Sequence, residues 1–334
     1  MNKVILSFDY ELFFGDKSGT VENSLITPTN KLLDCMESVG FRGNFFVDWQ
    51  MLKYLKEEGV ERTDADYNLI VNQLKEIVRR GHRIELHIHP HWVDAKYNGD
   101  GTWDFSDFTH YSLNSFNEEE IIQMFEDGVS LLTDIAREVD PTYKIVAFRA
   151  GGWAVQPFYK LKKAFLKTEI KIDSSVMRGA YAKNEGSYYD FRNVPFTKDG
   201  FYRFEDDVCK EMVDGTFMEV PISNVKQGFW YRVIRRIYAM LPNHDIKCLT
   251  DGTHTRKNSV TLGWSHEKVS LTFSNVNPWN VLFAQARNNS YISCYIDHPK
   301  DFTNNTLNAI KALSNFTVKS INYCDLLYLK GIEL

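Results

Sequence analysis

Short apolar runs alternate with helical patterns along most of this chain, and the alternation limits the folds that it can adopt. Runs typical of β-strands occupy residues 4–8, 44–47, 83–88, 143–148, 169–172, 217–220 and 291–296. One helical pattern begins after Thr27, its expected N-cap, and ends at Gly40. Three others span residues 66–80, 117–138 and 305–313. Strands and helices in repeated alternation predict a mostly parallel sheet covered by helices.

Residues capable of chemistry close five of the apolar runs. They are Asp9, the histidines of the segment 87–91, Arg149, Asp173 and His298. Barrels of alternating strands and helices carry their functional residues at the carboxyl ends of the strands. The pattern therefore predicts one barrel-like catalytic domain over residues 1–334, with long insertions near 92–116, 178–216 and 222–288.

The composition is ordinary for a globular protein, with 43% hydrophobic and 25% charged residues. A formal net charge of -5 gives no argument for a nucleic-acid partner. The amino terminus is typical of a first strand and not of a signal peptide. The five cysteines are widely spaced without a Cys-x-x-Cys pair, which favours reduced thiols. Together these features predict a cytoplasmic location.

Three of the nine histidines, His87, His89 and His91, lie within five residues after a strand-like run. Imidazole is a common ligand of divalent transition metals, so the cluster indicates a metal site more than a histidine-rich turn. Pro90 disfavours a helical conformation at His89, which argues against the helical arrangement of zinc proteases. His89 could be a third ligand, a residue that contacts the ligands without binding the metal, or a substrate contact.

Two carboxylates at the end of the first strand could divide metal binding and general-base catalysis between them. Asp9 and Glu11 point to the same side if the strand continues, so one can bind a metal while the other acts as a base. Arg149 can hold a carboxylate in its ionised form, and the glycines at 151–152 can offer backbone amides to an oxyanion. His298, oriented by a carboxylate, is typical of a general acid.

Taken in this order, the Asp9 motif, His87-x-x-x-His91, the Arg149 motif, Asp173-Ser174 and the late His298 resemble the polysaccharide deacetylases with the NodB homology domain (carbohydrate esterase family 4). The resemblance covers roughly residues 3–330. It implies a distorted (β/α) barrel of about seven parallel strands. It also implies the removal of N-acetyl groups from an amino sugar or glycan with a divalent metal, usually Zn²⁺.

The same resemblance implies a role for each proton-transfer group. Asp9 is similar to the catalytic base, and Arg149 to the arginine that holds the base carboxylate. His298 matches the general acid of the family, and Asp173 resembles the aspartate that orients it. The backbone at 151–153 would contribute to an oxyanion hole. The Gly-Gly-Trp sequence there departs from the family, which normally has Pro and an aromatic residue.

The resemblance also implies the metal ligands. His87 and His91 resemble two of them. The third is normally an Asp directly after the base, whereas this chain has Tyr10. Some relatives use Asp-x-Asp, and Glu11 suits that spacing. Glu11, His87 and His91 are therefore the expected ligands.

Two other functions stay open. A catalytically degenerate, sugar-binding relative would explain Tyr10, although Asp9, Arg149, Asp173 and His298 together argue for retained proton transfer. An amidohydrolase-type enzyme would use His87-x-His89, but that pattern normally follows the first strand and not the third.

The segment 228–241 combines aromatic residues with three arginines. Such a segment can lie on an anionic membrane, which would suit a lipid-linked sugar. A core-facing helix with an arginine-rich outer side is the favoured interpretation.

Overall fold

The computed structural model describes residues 2–329 except 16, 185–186, 242–246, 255–267 and 275. Its strands are β1 (Asn2–Tyr10), β2 (Gly43–Asp48), β3 (Arg83–Ile88), β4 (Lys96–Tyr97), β5 (Trp103–Asp104), β6 (Ala147–Ala150), β7 (Ile172–Asp173), β8 (Tyr181–Asn184), β9 (Ser187–Asp190), β10 (Tyr202–Phe204), β11 (Phe217–Glu219), β12 (Asn224–Lys226), β13 (Lys268–Ser270), β14 (Ile292–Asp297) and β15 (Val318–Ser320). Its α-helices are α1 (Thr27–Ser38), α2 (Trp49–Glu58), α3 (Glu61–Arg79), α4 (Glu118–Arg137), α5 (Tyr159–Thr168), α6 (Phe229–Tyr238), α7 (Pro278–Arg287), α8 (Thr306–Leu313) and α9 (Tyr323–Leu329). Short helical turns lie at Glu22–Ile26, Pro90–Asp94, Leu113–Ser115, Gly151–Trp153 and Pro299–Asp301.

A curved parallel sheet forms the centre of the fold. Its strands follow the order β11-β7-β6-β3-β2-β1-β14, and each neighbouring pair is parallel. Strand β10 adds to β11 in the antiparallel direction, and β15 pairs with β1 in parallel. This architecture confirms the prediction of a distorted (β/α) barrel with long insertions.

The two faces of the sheet have different partners because side chains alternate along each strand. On the outer face, Phe8, Phe45 and Phe148 belong to the large apolar cluster that includes the buried faces of the helices. On the inner face, Ile5 and Phe46 belong to a smaller cluster that α9 closes with Tyr323. The inner face also carries the polar residues of the strand ends.

The edges of the curved sheet are joined by irregular segments between β11 and β14. The Ser223 amide donates to the Cys294 carbonyl at 2.9 Å, and the Ile296 amide donates to the Leu271 carbonyl at 2.9 Å. The Leu271 amide in turn donates to the Ser223 carbonyl at 2.8 Å. Part of the predicted insertion 222–288 therefore closes the barrel wall.

Several predicted elements need correction. Thr27 does not cap a helix, because its backbone is itself helical and α1 continues from the turn Glu22–Ile26. Strand β6 begins at Ala147 instead of residue 143, since the Tyr143 hydroxyl hydrogen-bonds to both backbone groups of Ile84. Helix α4 agrees with the predicted pattern over 117–138, and Asn117 and Glu120 form a capping box at its start.

The expected insertions contain secondary structure of their own. Segment 92–116 carries the hairpin β4–β5, segment 178–216 carries the hairpin β8–β9 and strand β10, and segment 222–288 carries β12, β13, α6 and α7. Among the helices in the described ranges, none combines the length and the apolar character needed to cross a bilayer.

Candidate active site

Asp9 lies inside the barrel and is paired with Arg149. The alternation of β1 points Asp9 and Glu11 inward. It points Tyr10 outward, where its hydroxyl donates to Gln73 Oε1 at 2.7 Å. Arg149 Nη1 donates to Asp9 Oδ1 at 2.5 Å, and both side chains are buried. The guanidinium compensates a carboxylate that has been removed from water.

Neighbouring strands hold the Arg149 side chain in one orientation. Its Nε donates to the Ser174 carbonyl at 2.7 Å, and its Nη2 donates to Ser7 Oγ at 2.8 Å. The guanidinium also lies 4.2 Å from the ring centroid of Phe46. These contacts leave Nη1 directed at Asp9, so the orientation is set before any substrate binds.

Glu11, His87 and His89 form a buried cluster next to this pair. Glu11 Oε2 lies 3.0 Å from His87 Nε2 and 2.7 Å from His89 Nε2. One potential ligand atom from each residue lies within 4.8 Å of the others. The structure therefore brings two of the predicted ligands together, and the third member of the cluster is His89 instead of His91.

Hydrogen bonds fix the ring of His87. Its Nδ1 lies 2.7 Å from the Arg149 carbonyl, so Nδ1 carries a proton and donates it, while Nε2 faces Glu11. Burial alone would lower the pKa of His87, but the carboxylates of Asp9 and Glu11 raise it to about 9. Burial lowers the pKa of His89 to about 4 against the opposing effect of Glu11.

Lys300 places a buried positive charge beside Glu11. The sequence did not single out this lysine. Its Nζ donates to Glu11 Oε1 at 2.7 Å and to the Leu12 carbonyl at 2.9 Å. Burial would raise the pKa of Glu11, but His89, Lys300 and hydrogen bonds from the histidines hold it well below its usual range. Lys300 and the histidines therefore contact different oxygens of the same carboxylate.

His91 lies beside the cluster and contacts aromatic rings. Its ring centroid is 5.4 Å from that of Tyr111 in a stacked arrangement and 4.2 Å from that of Phe14. Neither ring nitrogen has a hydrogen-bond partner among the described residues. Burial lowers the pKa of His91 well below its ordinary value, so the ring is neutral.

His298 follows β14, the parallel neighbour of β1, and lies beside the carboxylates at the same edge of the sheet. Its Nε2 lies 3.6 Å from Asp9 Oδ2 and 3.7 Å from Glu11 Oε1. Its Nδ1 lies 3.3 Å from Asp301 Oδ2. His298 thus lies beside Asp9 as the sequence predicted, and the carboxylate beside its other nitrogen is Asp301.

The structure does not bring Asp173 to His298 as the sequence led us to expect. Ser174 points into the barrel, so the alternation of the strand turns Asp173 to the outer face. There its carboxylate accepts hydrogen bonds from the amide and hydroxyl of Ser175. Its other neighbour is the buried carboxyl group of Glu219.

Asp48 is a further buried carboxyl group that sequence reasoning missed. It ends β2 directly beside His87 in the register. Its Oδ2 accepts from Trp92 Nε1 at 2.6 Å, and its Oδ1 accepts from the His89 amide at 3.3 Å. Burial raises the pKa of Asp48 to about 7, with an added contribution from Glu11. Asp48 thus anchors the turn that carries the histidines, and its place at a strand end was the available signal.

Gly151 permits the close approach of the histidine segment to β6. A Cβ atom at this position would lie 2.7 Å from His89 Nδ1 and 2.7 Å from the Ile88 carbonyl oxygen. No side chain can occupy that space while His89 keeps its place.

The donor set of the cluster fits a divalent metal. One carboxylate and two imidazoles with open coordination positions are typical of catalytic zinc sites. The hydrogen bond from His87 Nδ1 to a backbone carbonyl is the usual way to orient a ligating ring. A bound metal would have to displace the proton from His87, and Lys300 would stay on the far oxygen of Glu11.

Comparison with known proteins gives similarity at the level of structure. No family model and no curated protein matches the chain. A candidate glycoside hydrolase/deacetylase from Parabacteroides distasonis is 12% identical with a TM-score of 0.51, covering 98% of this chain and 70% of that chain. The 4-alpha-glucanotransferase from Thermococcus litoralis is also 12% identical with a TM-score of 0.51. The match covers 98% of this chain, which spans only 40% of the glucanotransferase.

A candidate polysaccharide deacetylase from Mycobacterium smegmatis is 16% identical with a TM-score of 0.45, covering 98% of this chain and 89% of that chain. Because one fold can serve unrelated chemistries, the two similarities with a TM-score of 0.51 assign the fold alone and leave the function to the site. The chain has the distorted barrel fold of the NodB-like polysaccharide deacetylases.

Proposed function

We propose that the protein is a metal-dependent hydrolase that removes N-acetyl groups from an amino sugar or a glycan precursor. One observation carries the proposal. Asp9, paired with Arg149, lies next to a carboxylate–histidine–histidine cluster, and His298 Nε2 lies 3.6 Å from its Oδ2. A general base, a donor set for a metal and a general acid are the parts that metal-assisted amide hydrolysis needs.

Glu11, His87 and His89 would hold the metal, most simply Zn²⁺. When bound, a divalent ion polarises the acetyl carbonyl and lowers the pKa of water, to about 7 in well-studied zinc sites. His91 stays as the alternative ligand that the family resemblance implies.

The remaining chemistry belongs to the side chains around the cluster. Asp9 accepts a proton from the attacking water, and Arg149 keeps its carboxylate in position through Nη1. His298 donates a proton to the nitrogen of the leaving amine. Asp301 holds His298 through Nδ1. The backbone at 151–153 is the proposed donor set for the oxyanion that forms as the acetyl carbonyl is attacked.

One observation favours a second function, a sugar-binding protein without catalysis. The ammonium of Lys300 already neutralises Glu11 at 2.7 Å, so the carboxylate is stabilised in the barrel without any other cation. In such a protein the barrel mouth would bind a glycan, and the metal would be dispensable.

Metal content and acetate release separate the two functions. We expect the wild type to bind one equivalent of zinc by elemental analysis and to release acetate from N-acetylated sugars. Glu11→Ala and His87→Ala should lose the metal, while Asp9→Asn should keep it and lose a factor of about 10²–10⁴ in rate.

His110→Ala is the matched control, because this half-buried histidine pairs with Asp94 outside the cluster. It should keep both metal and activity. A folded wild type that binds N-acetylated sugars but takes up no zinc would refute the hydrolase and support the binding protein.

A further inference from the structure

Helix α6 carries an apolar face that the rest of the described protein leaves exposed. The side chains of Phe229, Trp230, Ile237 and Met240 are 73%, 60%, 48% and 81% exposed. At 3.6 residues per turn, Trp230 and Ile237 lie almost in line and Phe229 lies on the adjacent strip, while Met240 follows in the turn after the helix. These residues form one continuous surface, which we call the α6 apolar face.

The opposite side of α6 holds the helix to the protein. Tyr231 is buried against α7, where its carbonyl accepts a hydrogen bond from Asn280 Nδ2 at 3.0 Å. Tyr238, two turns later, lies with its ring centroid 5.4 Å from that of Trp279. Helix α6 is thus anchored by two tyrosines, while Phe229, Trp230 and Ile237 face away from the protein. This differs from the core-facing helix that the sequence favoured.

Three arginines border the α6 apolar face. Arg232, Arg235 and Arg236 are exposed, and none of them makes an ion pair with a residue that the structure describes. No acidic residue occurs in α6 itself. The helix therefore combines an apolar surface with a positive charge that has no counter-charge in the described ranges.

We propose that α6 docks on the surface of an anionic lipid bilayer. A helix that lies in the membrane interface has this chemistry: large apolar and aromatic residues on one face and basic residues beside it. Tryptophan and phenylalanine insert at the level of the headgroups, and arginines bind lipid phosphates. A protein partner or a second copy would need acidic groups to match the arginines. The negative headgroups of a bilayer supply them directly.

The position of α6 relates this docking to the candidate active site. Its carboxyl end contacts the segment after β14, since the Tyr238 hydroxyl donates to Asn305 Oδ1 at 3.1 Å. The same segment carries His298 and Lys300. Trp279, which packs on Tyr238 and is 43% exposed, adds apolar surface at that end of α6. On the proposed function, which this step assumes, a substrate carried by a membrane lipid would be presented beside the barrel mouth.

Co-sedimentation with vesicles tests the docking independently of activity. We expect the full chain to sediment with phosphatidylcholine vesicles that contain phosphatidylglycerol and not with phosphatidylcholine alone. Salt should weaken the binding. Arg232→Gln/Arg236→Gln should weaken it by roughly fivefold for each arginine removed. Phe229→Ser/Trp230→Ser should weaken it by about 100-fold or more.

Matched controls change residues of the same kind elsewhere on the surface. Lys198→Gln/Arg203→Gln removes two exposed cations, and Tyr159→Ser/Leu166→Ser removes two exposed apolar side chains of α5. Both controls should bind as the wild type does. The proposal is overturned if wild type fails to sediment with the anionic vesicles, or if Phe229→Ser/Trp230→Ser binds them unchanged. It is also overturned if the wild type is a dimer that this double substitution dissociates. Acetate release from soluble substrates, measured separately, reports on the proposed function and not on the docking.

Discussion

Arg149 Nη1 lies 2.5 Å from Asp9 Oδ1, although two strands separate β6 from β1 in the sheet. Neighbouring strands are about 4.8 Å apart, so in a flat sheet these residues could not touch. The contact exists because the sheet curves and its inner side chains meet at the barrel axis. The pair therefore links the fold to the chemistry of the site.

Removing Arg149 should cost stability as well as activity. Arg149→Met leaves Asp9 buried without a counter-charge, which typically costs 3–5 kcal/mol, so we expect a loss of about that size in the free energy of unfolding. Urea denaturation measures it. Asp9→Asn/Arg149→Met should recover part of the loss. If the loss of unfolding free energy in the double variant equals the sum of the losses in the two single variants, the residues do not interact energetically.

Zinc affinity should distinguish His89 from His91. His89→Ala removes a member of the cluster, so the dissociation constant of this variant for zinc should rise. The rise should exceed the roughly 10–100-fold that follows when a residue that only orients a ligand is removed. His91→Ala removes a ring that packs on Tyr111 and should change the affinity little. Competition with a chromogenic chelator measures both. The opposite ranking would support the ligands implied by the family resemblance.

Lys300 should weaken metal binding because it competes for the charge of Glu11. Two unit charges 4 Å apart interact by about 4 kcal/mol at an effective dielectric constant of 20, so Lys300→Met should tighten zinc binding by tenfold or more. The unfolding free energy should fall, since Glu11 loses a buried partner. Isothermal titration with zinc tests this expectation. Unchanged affinity would mean that the lysine and the metal do not share the carboxylate.

Asp301, rather than Asp173, should hold His298 in position. Asp301→Asn removes the carboxylate that lies 3.3 Å from His298 Nδ1 and should lower kcat for acetate release, because the ring loses the contact that orients it. Asp173→Asn should leave kcat unchanged, and its expected effect is on stability. A fall in kcat in Asp173→Asn alone would restore the role that the sequence suggested.

The Glu219 carboxyl group should make the protein less stable as the pH rises. Burial and the neighbouring Asp173 raise the pKa of Glu219 well above its ordinary value, so the folded state keeps the proton. The unfolded chain releases it above about pH 4.3. Stability is therefore present at low pH and is lost as the pH increases, by up to about 1.4 kcal/mol per unit.

Glu219→Gln removes this dependence and should be more stable than the wild type at pH 8, with a smaller difference at pH 5. Urea unfolding at both values measures it. Glu119→Gln, on the exposed side of α4, is the control and should follow the wild type. Equal differences at pH 5 and pH 8 would show that Glu219 does not titrate between them.

The sequence identified the strands of the barrel because buried parallel strands read as continuous apolar runs. It also predicted that Asp9 and Glu11 share a face, since side chains alternate along a strand. It could not select the inward residue at β7, where the boundary of a two-residue strand decides whether Asp173 or Ser174 enters the barrel. A shift of one residue reverses the assignment.

The choice among the histidines was also beyond the sequence. His87 lies on β3, so its direction follows from the strand. His89 and His91 belong to the turn around Pro90, and their directions depend on contacts with Asp48, Phe14 and Tyr111. Lys300 was missed because a lysine after a strand is normally solvated. Only the tertiary structure brings it to Glu11.

Gly151 has a practical consequence for experiments on this protein. An alanine scan of the polar groups would pass over it, because glycine offers no side chain to remove. Yet one added methyl group there would collide with the imidazole of His89 and with the backbone of Ile88. Gly151→Ala is therefore a means to displace the segment of Ile88 and His89 without deleting any functional group, and it would report how far the site tolerates a shift in position alone.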